Sequence, residues 1–210
     1  LNTWYMPKYA GPDSQGRSTW YVTKEDGTRG TTTSYSQATY YLCGNGNPKA
    51  YGGFGTTLTA YGFDLSASFL YSLGGKAYDS GYGKLMASPT DAGERRNLHK
   101  DLWNAWSENN TSSDIPRFQF NDTQNSYTSD RFLTSASSLT FKNISLGYTL
   151  PKAWIARFPV NSVRLYCVCD NVYYWTRRKG LDPRSSLTGS VSDANFHPIR
   201  TISGGITVKF

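Results

Sequence analysis

The sequence Arg200-Thr-Ile-Ser-Gly-Gly-Ile-Thr-Val-Lys-Phe210 decides how the rest of the chain is interpreted. Apolar residues recur at every second position, which is the period of a β-strand. The apolar face of this strand would carry Ile202, Gly204, Ile206, Val208 and Phe210. A transmembrane barrel strand consists of about 9–11 residues of such alternation, with the apolar face in lipid and the polar face towards the lumen. A half-buried strand of a soluble sheet has the same period, so both alternatives stay open at this point.

The composition favours strands over helices. Aromatic residues make up 15% of the 210 residues and charged residues 18%, whereas about 25% charged residues are usual in soluble domains. Abundant Tyr, Gly, Ser, Thr and Asn are typical of strands joined by long turns. No apolar run approaches the length of about 18 residues that a transmembrane helix requires, so we predict no such helix.

The charge distribution does not favour a nucleic-acid partner. The formal net charge is +7, but the basic residues are scattered, apart from Arg95-Arg96 and Arg177-Arg178-Lys179. A nucleic-acid interface would need a stripe of Lys and Arg on one face, interleaved with stacking aromatic residues. We therefore interpret the basic residues as parts of solvated loops and expect no nucleic-acid partner.

The reactive side chains do not form a recognisable chemical site. The chain has three cysteines and two histidines, namely Cys43, Cys167, Cys169, His99 and His197. An odd number of cysteines gives no complete disulfide framework, and the spacing is not that of a zinc site. Cys167 and Cys169 would lie on the same face of a strand, as small apolar residues. His99, Asp101 and Glu108 are near one another in sequence, but their spacing indicates no acid–base pair. We expect no metal, no cofactor and no enzymatic activity.

Alternating patterns predict five full strands and part of a sixth. The predicted strands are 1–7 (in part), 51–61, 63–73, 132–150, 163–176 and 199–210. The tight turn at Tyr61-Gly62 predicts a hairpin between the second and third of these. The phase of the alternation slips near Asn143, which indicates either a β-bulge or the point where the strand leaves a membrane.

The connections between the predicted strands alternate between long and short, so the long ones lie at one end of the sheet and the short ones at the other. The long connections are 8–50, 74–131 and 177–198, and the short ones are Tyr61-Gly62 and 151–162. We expect one short hairpin in the first long loop and a short helix over 91–109 in the second. Barrels of the outer membrane have short periplasmic turns and long extracellular loops, so the asymmetry favours a barrel. Because about 8 strands are the fewest that close such a barrel, we expect this chain to be part of a larger one. A soluble β-sandwich that acts as a carbohydrate-binding module is the alternative.

Several motifs occur in the order in which they occur in one protein family. The motifs are Pro48-Lys49 with Tyr51-Gly52-Gly53-Phe54; Tyr61-Gly-Phe-Asp-Leu-Ser66; Trp106 with Asp114-Ile-Pro-Arg117; Leu139-Thr-Phe-Lys-Asn-Ile-Ser-Leu-Gly-Tyr-Thr-Leu-Pro151; Val163-Arg-Leu-Tyr166 with Asn171, Trp175-Thr176 and Gly180-Leu-Asp-Pro183; and Arg200-Thr201 leading to Phe210. Together they resemble the SusC/RagA family of TonB-dependent outer-membrane transporters. The departures from the family pattern are modest and lie at Cys167, Cys169 and Asp170.

This resemblance implies a fold and a function. The intact protein would be a barrel of about 22 strands with a plugged lumen, and residues 1–210 would be its C-terminal portion, without the plug and the N-terminal barrel strands. It would import oligosaccharides or peptides across the outer membrane of a Gram-negative bacterium. Its partners would be a SusD-like surface lipoprotein and TonB, the latter reached through the absent N-terminal part. The resemblance implies no organic cofactor.

The barrel interpretation assigns roles to particular residues. The predicted lipid-facing residues are Leu65, Phe69, Tyr71, Leu146 and Tyr148. Phe210, with Val208 and Ile206, resembles the terminal signal that barrel-assembly machinery reads. The long loops carry the aromatic residues Trp20, Tyr40, Tyr41, Trp103, Trp106 and Phe196. They could contact substrate or lipoprotein, but for any single residue we favour packing within its loop. The substrate-binding residues stay unassigned. The final strand is expected to be an edge that pairs only with 163–176.

Overall fold

The structure is a computed structural model that describes residues 2–91, 97–185, 190–191 and 198–210. Most of the ordered elements are strands. In chain order the strands are β1 Thr3–Pro7, β2 Tyr9–Pro12, β3 Ser18–Thr23, β4 Arg29–Thr32, β5 Tyr40–Asn45, β6 Ala50–Ala60, β7 Phe63–Leu73, β8 Lys76–Asp79, β9 Leu133–Ser135, β10 Ser138–Thr149, β11 Ser162–Thr176, β12 Ser190–Val191 and β13 Thr201–Lys209. The α-helices are α1 Ser80–Leu85 and α2 Lys152–Ile155, and short 3-10 helices occupy Tyr35–Gln37, Lys100–Asn104, Thr123–Ser126, Asp130–Phe132 and Pro183–Ser185.

The chain divides into two compact units. The sheet unit comprises the described residues of Pro48–Gly74, Ala136–Arg184 and Phe196–Phe210. The loop unit comprises the described residues of Leu1–Asn47, Gly75–Ser135 and Ser185–Asn195. The loop unit is formed mainly by the long connections that follow β1, β7 and β11. Residues that pack together within it therefore come from segments that are far apart in the sequence.

The sheet unit is built on one antiparallel sheet with the strand order β13-β11-β10-β7-β6. These are the five full strands that the alternation predicts. The β6–β7 hairpin turns at Tyr61 and Gly62, whose φ angles are +50° and +84°. A two-residue turn with positive φ at both positions is favoured in β-hairpins, because its twist matches the right-handed twist of the two strands that it joins. The predicted hairpin is therefore confirmed.

A β-bulge accounts for the change of phase in β10. The register shifts between Phe141 and Asn143 in the pairing with both β7 and β11. Against β7 the extra residue is Lys142, whereas against β11 Lys142 lies opposite the two residues Asn171 and Val172. The Lys142 Nζ donates a hydrogen bond of 3.0 Å to the side-chain oxygen of Asn171. Asn171 itself has a φ of +52°. Of the two explanations of the slip near Asn143, the bulge is confirmed.

The final strand lies at one edge of the sheet. β13 pairs with β11 from Thr201 opposite Asp170 to Lys209 opposite Ser162. Within the described residues β13 has no second neighbour in the sheet order. The prediction that this segment is an edge paired only with 163–176 is confirmed.

The loop unit contains more strands than we predicted. Its sheets are β1-β5, β2-β3-β4 and β12-β8-β9. The partial strand predicted at 1–7 corresponds to β1, which pairs with β5 and not with the five-stranded sheet. The loop at 8–50 holds two hairpin connections, β2–β3 and β3–β4, instead of the single hairpin expected. Trp20 and Phe132, which are 1% and 0% exposed, lie at the core of the unit.

The second long loop carries short helices, but not where the periodicity places the helix. The α-helix is α1, which begins after Asp79, whose carboxylate accepts a hydrogen bond of 2.9 Å from the Tyr82 amide. Within the predicted stretch 91–109, the described residues contain only the 3-10 helix Lys100–Asn104. Part of that stretch, 92–96, lies outside the described residues.

Helices long and apolar enough to cross a membrane do not occur among the described residues.

Candidate functional site

One face of the five-stranded sheet is apolar across all its strands. The pairing places Leu65 opposite Leu146 on one side and opposite Leu58 on the other. Further along, the Phe69 ring stacks on Phe54 and Phe141, with centroid distances of 5.0 and 4.5 Å. Such cross-strand aromatic and aliphatic pairs stabilise neighbouring strands in a fixed register. We call this surface the apolar face.

The apolar face is exposed. Phe54 is 57% exposed, Leu146 48% and Ile206 67%. The other exposed large apolar residues in register with them are Leu58, Phe63, Leu73, Leu165, Tyr173, Trp175, Ile202 and Val208. A contiguous apolar surface of this kind is not stable against water, and lipid or another protein must cover it.

All five predicted lipid-facing residues lie on the apolar face. The sheet register brings together Leu65, Phe69, Tyr71, Leu146 and Tyr148 by way of the β7–β10 pairing. Their contact with lipid stays a prediction. Of the three residues of the terminal signal, Ile206 and Val208 share the apolar face through their pairing with Leu165 and Val163. Phe210 follows β13 and is 85% exposed.

The opposite face of the sheet is polar and carries an ion pair that spans three strands. The Nε of Arg164 on β11 donates a hydrogen bond of 2.9 Å to Asp64 on β7. Between them on β10 is Gly147, where a Cβ atom would lie 2.5 Å from the Asp64 carboxylate. Glycine is therefore required at 147, because any side chain would occupy the space of the ion pair. The sequence places Asp64 on the polar face but gives no sign of its partner, which is 100 residues away.

The motif at Gly180–Pro183 packs on the same polar face. Arg184 binds the carboxylate of the fully buried Asp182 through its Nε, at 2.7 Å. The guanidinium also lies 4.5 Å from the centroid of the Tyr174 ring and donates to the Thr140 hydroxyl at 3.2 Å. Asn143 and Asp170, joined by a hydrogen bond of 2.7 Å, extend the polar surface. The resemblance includes residues 180–183, but the sequence alone did not indicate this network.

The loop aromatics differ widely in exposure. Trp103 is 91% exposed and Tyr40 45% exposed, so both are available for contact. Trp20 is buried, with its ring 5.2 Å from that of Tyr35. For Trp20 the favoured alternative, packing within the loop, is confirmed, because the ring fills the core of the loop unit. Tyr41 and Trp106 are half-buried, and Phe196 lies outside the described residues.

A turn in the loop unit depends on an ionised carboxylate. One oxygen of Asp13 accepts hydrogen bonds from the backbone amides of Gln15 and Arg17, at 2.9 and 2.8 Å. The other accepts from the Arg17 side chain at 2.8 Å. Burial acts to raise the pKa of Asp13, but these hydrogen bonds outweigh it and hold the pKa below its ordinary value.

This turn is expected to loosen in acid. Because the pKa of Asp13 is lower in the folded state, its contribution to stability is complete above the unfolded pKa of about 3.9 and is lost as the pH falls through the folded value. Hydrogen exchange of the Gln15 and Arg17 amides in the intact protein, corrected for intrinsic rates, should therefore lose protection below about pH 4. In Asp13→Asn the protection should be lower at neutral pH and should not change with acid. The same acid response in both proteins would contradict the assignment.

Clusters of three or more His, Cys, Asp or Glu that could hold a metal ion are not found within the described part of the chain.

Comparisons with known proteins agree on one kind of relative. No family model matches the chain. TonB-dependent receptor P3 of Formosa agariphila is 28% identical over 185 residues, which cover 83% of this chain and 18% of that protein. TonB-dependent receptor P26 of the same organism is 23% identical over 167 residues, which cover 75% of this chain and 16% of that protein. The chain thus spans less than a fifth of the length of these relatives.

Solved structures show the same similarity in three dimensions. A structure of the RagAB peptide transporter superimposes on 99% of this chain and 23% of its own, with a TM-score of 0.82 and 27% identity. The RagAB peptide importer in the closed-closed state gives a TM-score of 0.80 at 28% identity, again over 99% of this chain and 23% of that one. The barrel fragment predicted from the alternation is therefore confirmed, as an antiparallel sheet that is not closed by itself. The resemblance to the SusC/RagA family is likewise confirmed, since the chain is similar over most of its length to TonB-dependent receptors and to the RagAB transporter.

Proposed function

We propose that the chain is the C-terminal portion of the barrel of an outer-membrane importer in a Gram-negative bacterium. The observation that carries the proposal is the two-faced sheet. Its apolar face is exposed across five strands, while its polar face holds the Asp64–Arg164 ion pair and the Arg184 network. A barrel wall needs this arrangement, because lipid covers one face and a polar lumen or plug meets the other.

The intact receptor would import oligosaccharides or peptides with energy supplied through TonB. It would act together with a SusD-like surface lipoprotein. The similarity to TonB-dependent receptors and to the RagAB peptide importer supports import. The exposed loop aromatics Trp103 and Tyr40 are of the type that stacks on sugar rings or contacts another protein.

An uptake assay tests this proposal. Cells that make the intact receptor and its lipoprotein would be given fluorescent oligosaccharides and peptides, with and without a protonophore. We expect uptake of at least one series, lost when the receptor is deleted or the proton gradient collapses, and reduced without the lipoprotein. Uptake that persists without the receptor or without the gradient would refute import by this protein.

A sandwich-type binding module is not favoured, since in a sandwich a second sheet would cover the apolar face.

Deleting Phe210 is expected to impair insertion of the receptor. The residue follows the edge strand β13 and its ring is 85% exposed, so it is available to assembly machinery and contributes little packing within the chain. The amount of receptor in the outer membrane, measured by immunoblot of membrane fractions, should fall severalfold. Phe210→Tyr, which keeps the aromatic ring, should restore it. Equal amounts of the deletion variant and the wild type would show that the terminal aromatic is not a signal.

A further inference from the structure

We propose that Lys142 and Arg200 form a site on the apolar face that binds the phosphate of a phosphorylated glycolipid in the outer leaflet of the membrane. Lys142 lies at the bulge of β10, and Arg200 directly precedes β13. The inference rests on the proposed function, since lipid borders this face only if the sheet is part of a barrel wall.

The apolar face carries very little charge. The five strands of the sheet contain only five charged residues, and four of them lie on the polar face, namely Asp64, Arg164, Asp170 and Lys209. The fifth is Lys142. A charge on a surface that meets lipid is costly, so its presence usually marks a function and calls for a partner.

The bulge places the Lys142 side chain on the apolar face. Its Nζ donates a hydrogen bond of 3.0 Å to the side-chain oxygen of Asn171. Asn171 lies midway between Cys169 and Tyr173, whose partners on β10 both belong to the apolar face. Because side chains alternate along a strand, Asn171 shares this face, and the ammonium group bound to it lies there too.

Asn171 also joins the segment that carries Arg200 to the same position. Its side-chain nitrogen donates a hydrogen bond of 3.0 Å to the carbonyl of Ile199. Ile202, two residues after Arg200, pairs with Cys169 on the apolar face. The alternation therefore places Arg200 on the apolar face as well, so two cations flank one asparagine.

The protein does not neutralise these two cations. Within the described residues, neither Lys142 nor Arg200 forms an ion pair with a carboxylate, and both are exposed. Asp170, although adjacent to Asn171 in sequence, lies on the opposite face and accepts a hydrogen bond of 2.7 Å from Asn143. Cations that border lipid need an anion nearby, and here the lipid itself must supply it.

The position of Arg200 along β13 indicates the outer leaflet. Ten residue steps separate it from Phe210, a distance of about 33 Å along a strand. At a tilt of about 40° this corresponds to about 25 Å across the membrane, which is the height of the apolar band of a barrel. Phe210 lies at the end with the short connections and Arg200 towards the long ones, which are extracellular in such barrels.

The two side chains suit a phosphate at this boundary. Both have long apolar stems that can lie along acyl chains while the charged ends reach the headgroups. The guanidinium of Arg200 can bind two phosphate oxygens at once, and Lys142 adds a point charge. Beside them Tyr173 and Ile202 are 51% and 70% exposed and would contact the acyl chains.

Native mass spectrometry of the intact receptor, released from detergent, tests the proposal by titration. The probes are diphosphorylated lipid A, the same lipid A with its phosphates removed, and phosphatidylglycerol. We expect a complex with diphosphorylated lipid A and none with the phosphate-free form. Phosphatidylglycerol should bind much more weakly, because its phosphodiester carries a single negative charge and no sugar.

Variants that remove one charge locate the site. Lys142→Gln keeps a donor that can reach Asn171, and Arg200→Gln changes a residue outside the paired strands, so both should fold. Each should weaken the binding of diphosphorylated lipid A about fivefold, and the double variant about 25-fold. The control is Lys152→Gln, which removes an exposed positive charge from α2 in a short connection and should bind as the wild type does.

The proposal is overturned if diphosphorylated lipid A does not bind, if either other lipid binds equally well, or if the double variant retains wild-type affinity. Arg200→Gln keeps the test decisive if Lys142→Gln proves unstable. An equal loss of binding in Lys152→Gln would likewise contradict a local site. Because lipid binding is measured without transport, its failure is distinguishable from failure of the proposed function, which would appear as absent uptake in cells.

Discussion

Substituting arginine for Leu146 in the intact receptor is expected to lower its free energy of unfolding in lipid, by about 2–4 kcal/mol where the side chain lies near the bilayer midplane and by less near an interface. Leu146 lies in β10, between Leu65 and Cys167 on the neighbouring strands, and its side chain is 48% exposed on the apolar face. If that face contacts acyl chains, the substitution places a charge where water cannot solvate it. Denaturant unfolding in phospholipid vesicles, followed by tryptophan fluorescence, measures the difference.

The matched control is Ser145→Arg. Ser145 is the preceding residue of β10 and lies on the polar face, opposite Ser66 and Val168. The same charge should be tolerated there far better, since that face is expected to meet the lumen or plug. Equal costs at the two positions would show that the faces do not differ in environment and would contradict a barrel wall.

Replacing Gly147 by valine is expected to destabilise the receptor by about 1–3 kcal/mol through overpacking. A Cβ at this position would approach the Asp64 carboxylate to within 2.5 Å, so the Asp64–Arg164 ion pair would have to separate or β10 would have to shift. Unfolding in vesicles should show the loss of stability. A second sign would be faster proteolysis near the β6–β7 hairpin, because β7 holds one partner of the pair.

Gly204→Ala is the control for glycine substitution. At Gly204 the nearest atom to an added Cβ is the Tyr166 carbonyl oxygen, at 3.5 Å, which is ordinary van der Waals contact. Its cost should therefore stay within about 0.5 kcal/mol. If Gly147→Val were equally mild, the space between Asp64 and Arg164 would not require glycine.

Local sequence patterns were sufficient to predict the strands of the five-stranded sheet. The alternation over Phe63–Leu73 and the positive-φ turn at Tyr61-Gly62 concern neighbouring residues, so a single sequence contains them. The slip of phase near Asn143 likewise predicted either a bulge or the point where the strand leaves a membrane, and the register shows the bulge. The apolar face follows from the same period, since a strand's side chains alternate between two faces.

Long-range pairing could not be predicted. The Asp64–Arg164 ion pair joins residues 100 positions apart, and only the register across β7, β10 and β11 brings them together. The loop unit depends in the same way on packing between distant segments, with Trp20 beside Tyr127. The apolar periodicity within 91–109 resembled an α-helix, but the described residues of that stretch form only a 3-10 helix over Lys100–Asn104. Tertiary context overrides so short a helical signal.

Spin-label accessibility along β7 measures whether the apolar face of the sheet lies against lipid. Single cysteines would be introduced at Leu65, Phe69, Ser66 and Ser68 of the intact receptor in bilayers, with Cys43, Cys167 and Cys169 replaced by serine. We predict that labels at Leu65 and Phe69 are accessible to oxygen dissolved in lipid and shielded from a water-soluble nickel complex, with low oxygen accessibility at Ser66 and Ser68. Equal accessibility at both sets of positions, or strong access of the nickel complex at Leu65 and Phe69, would contradict the barrel wall.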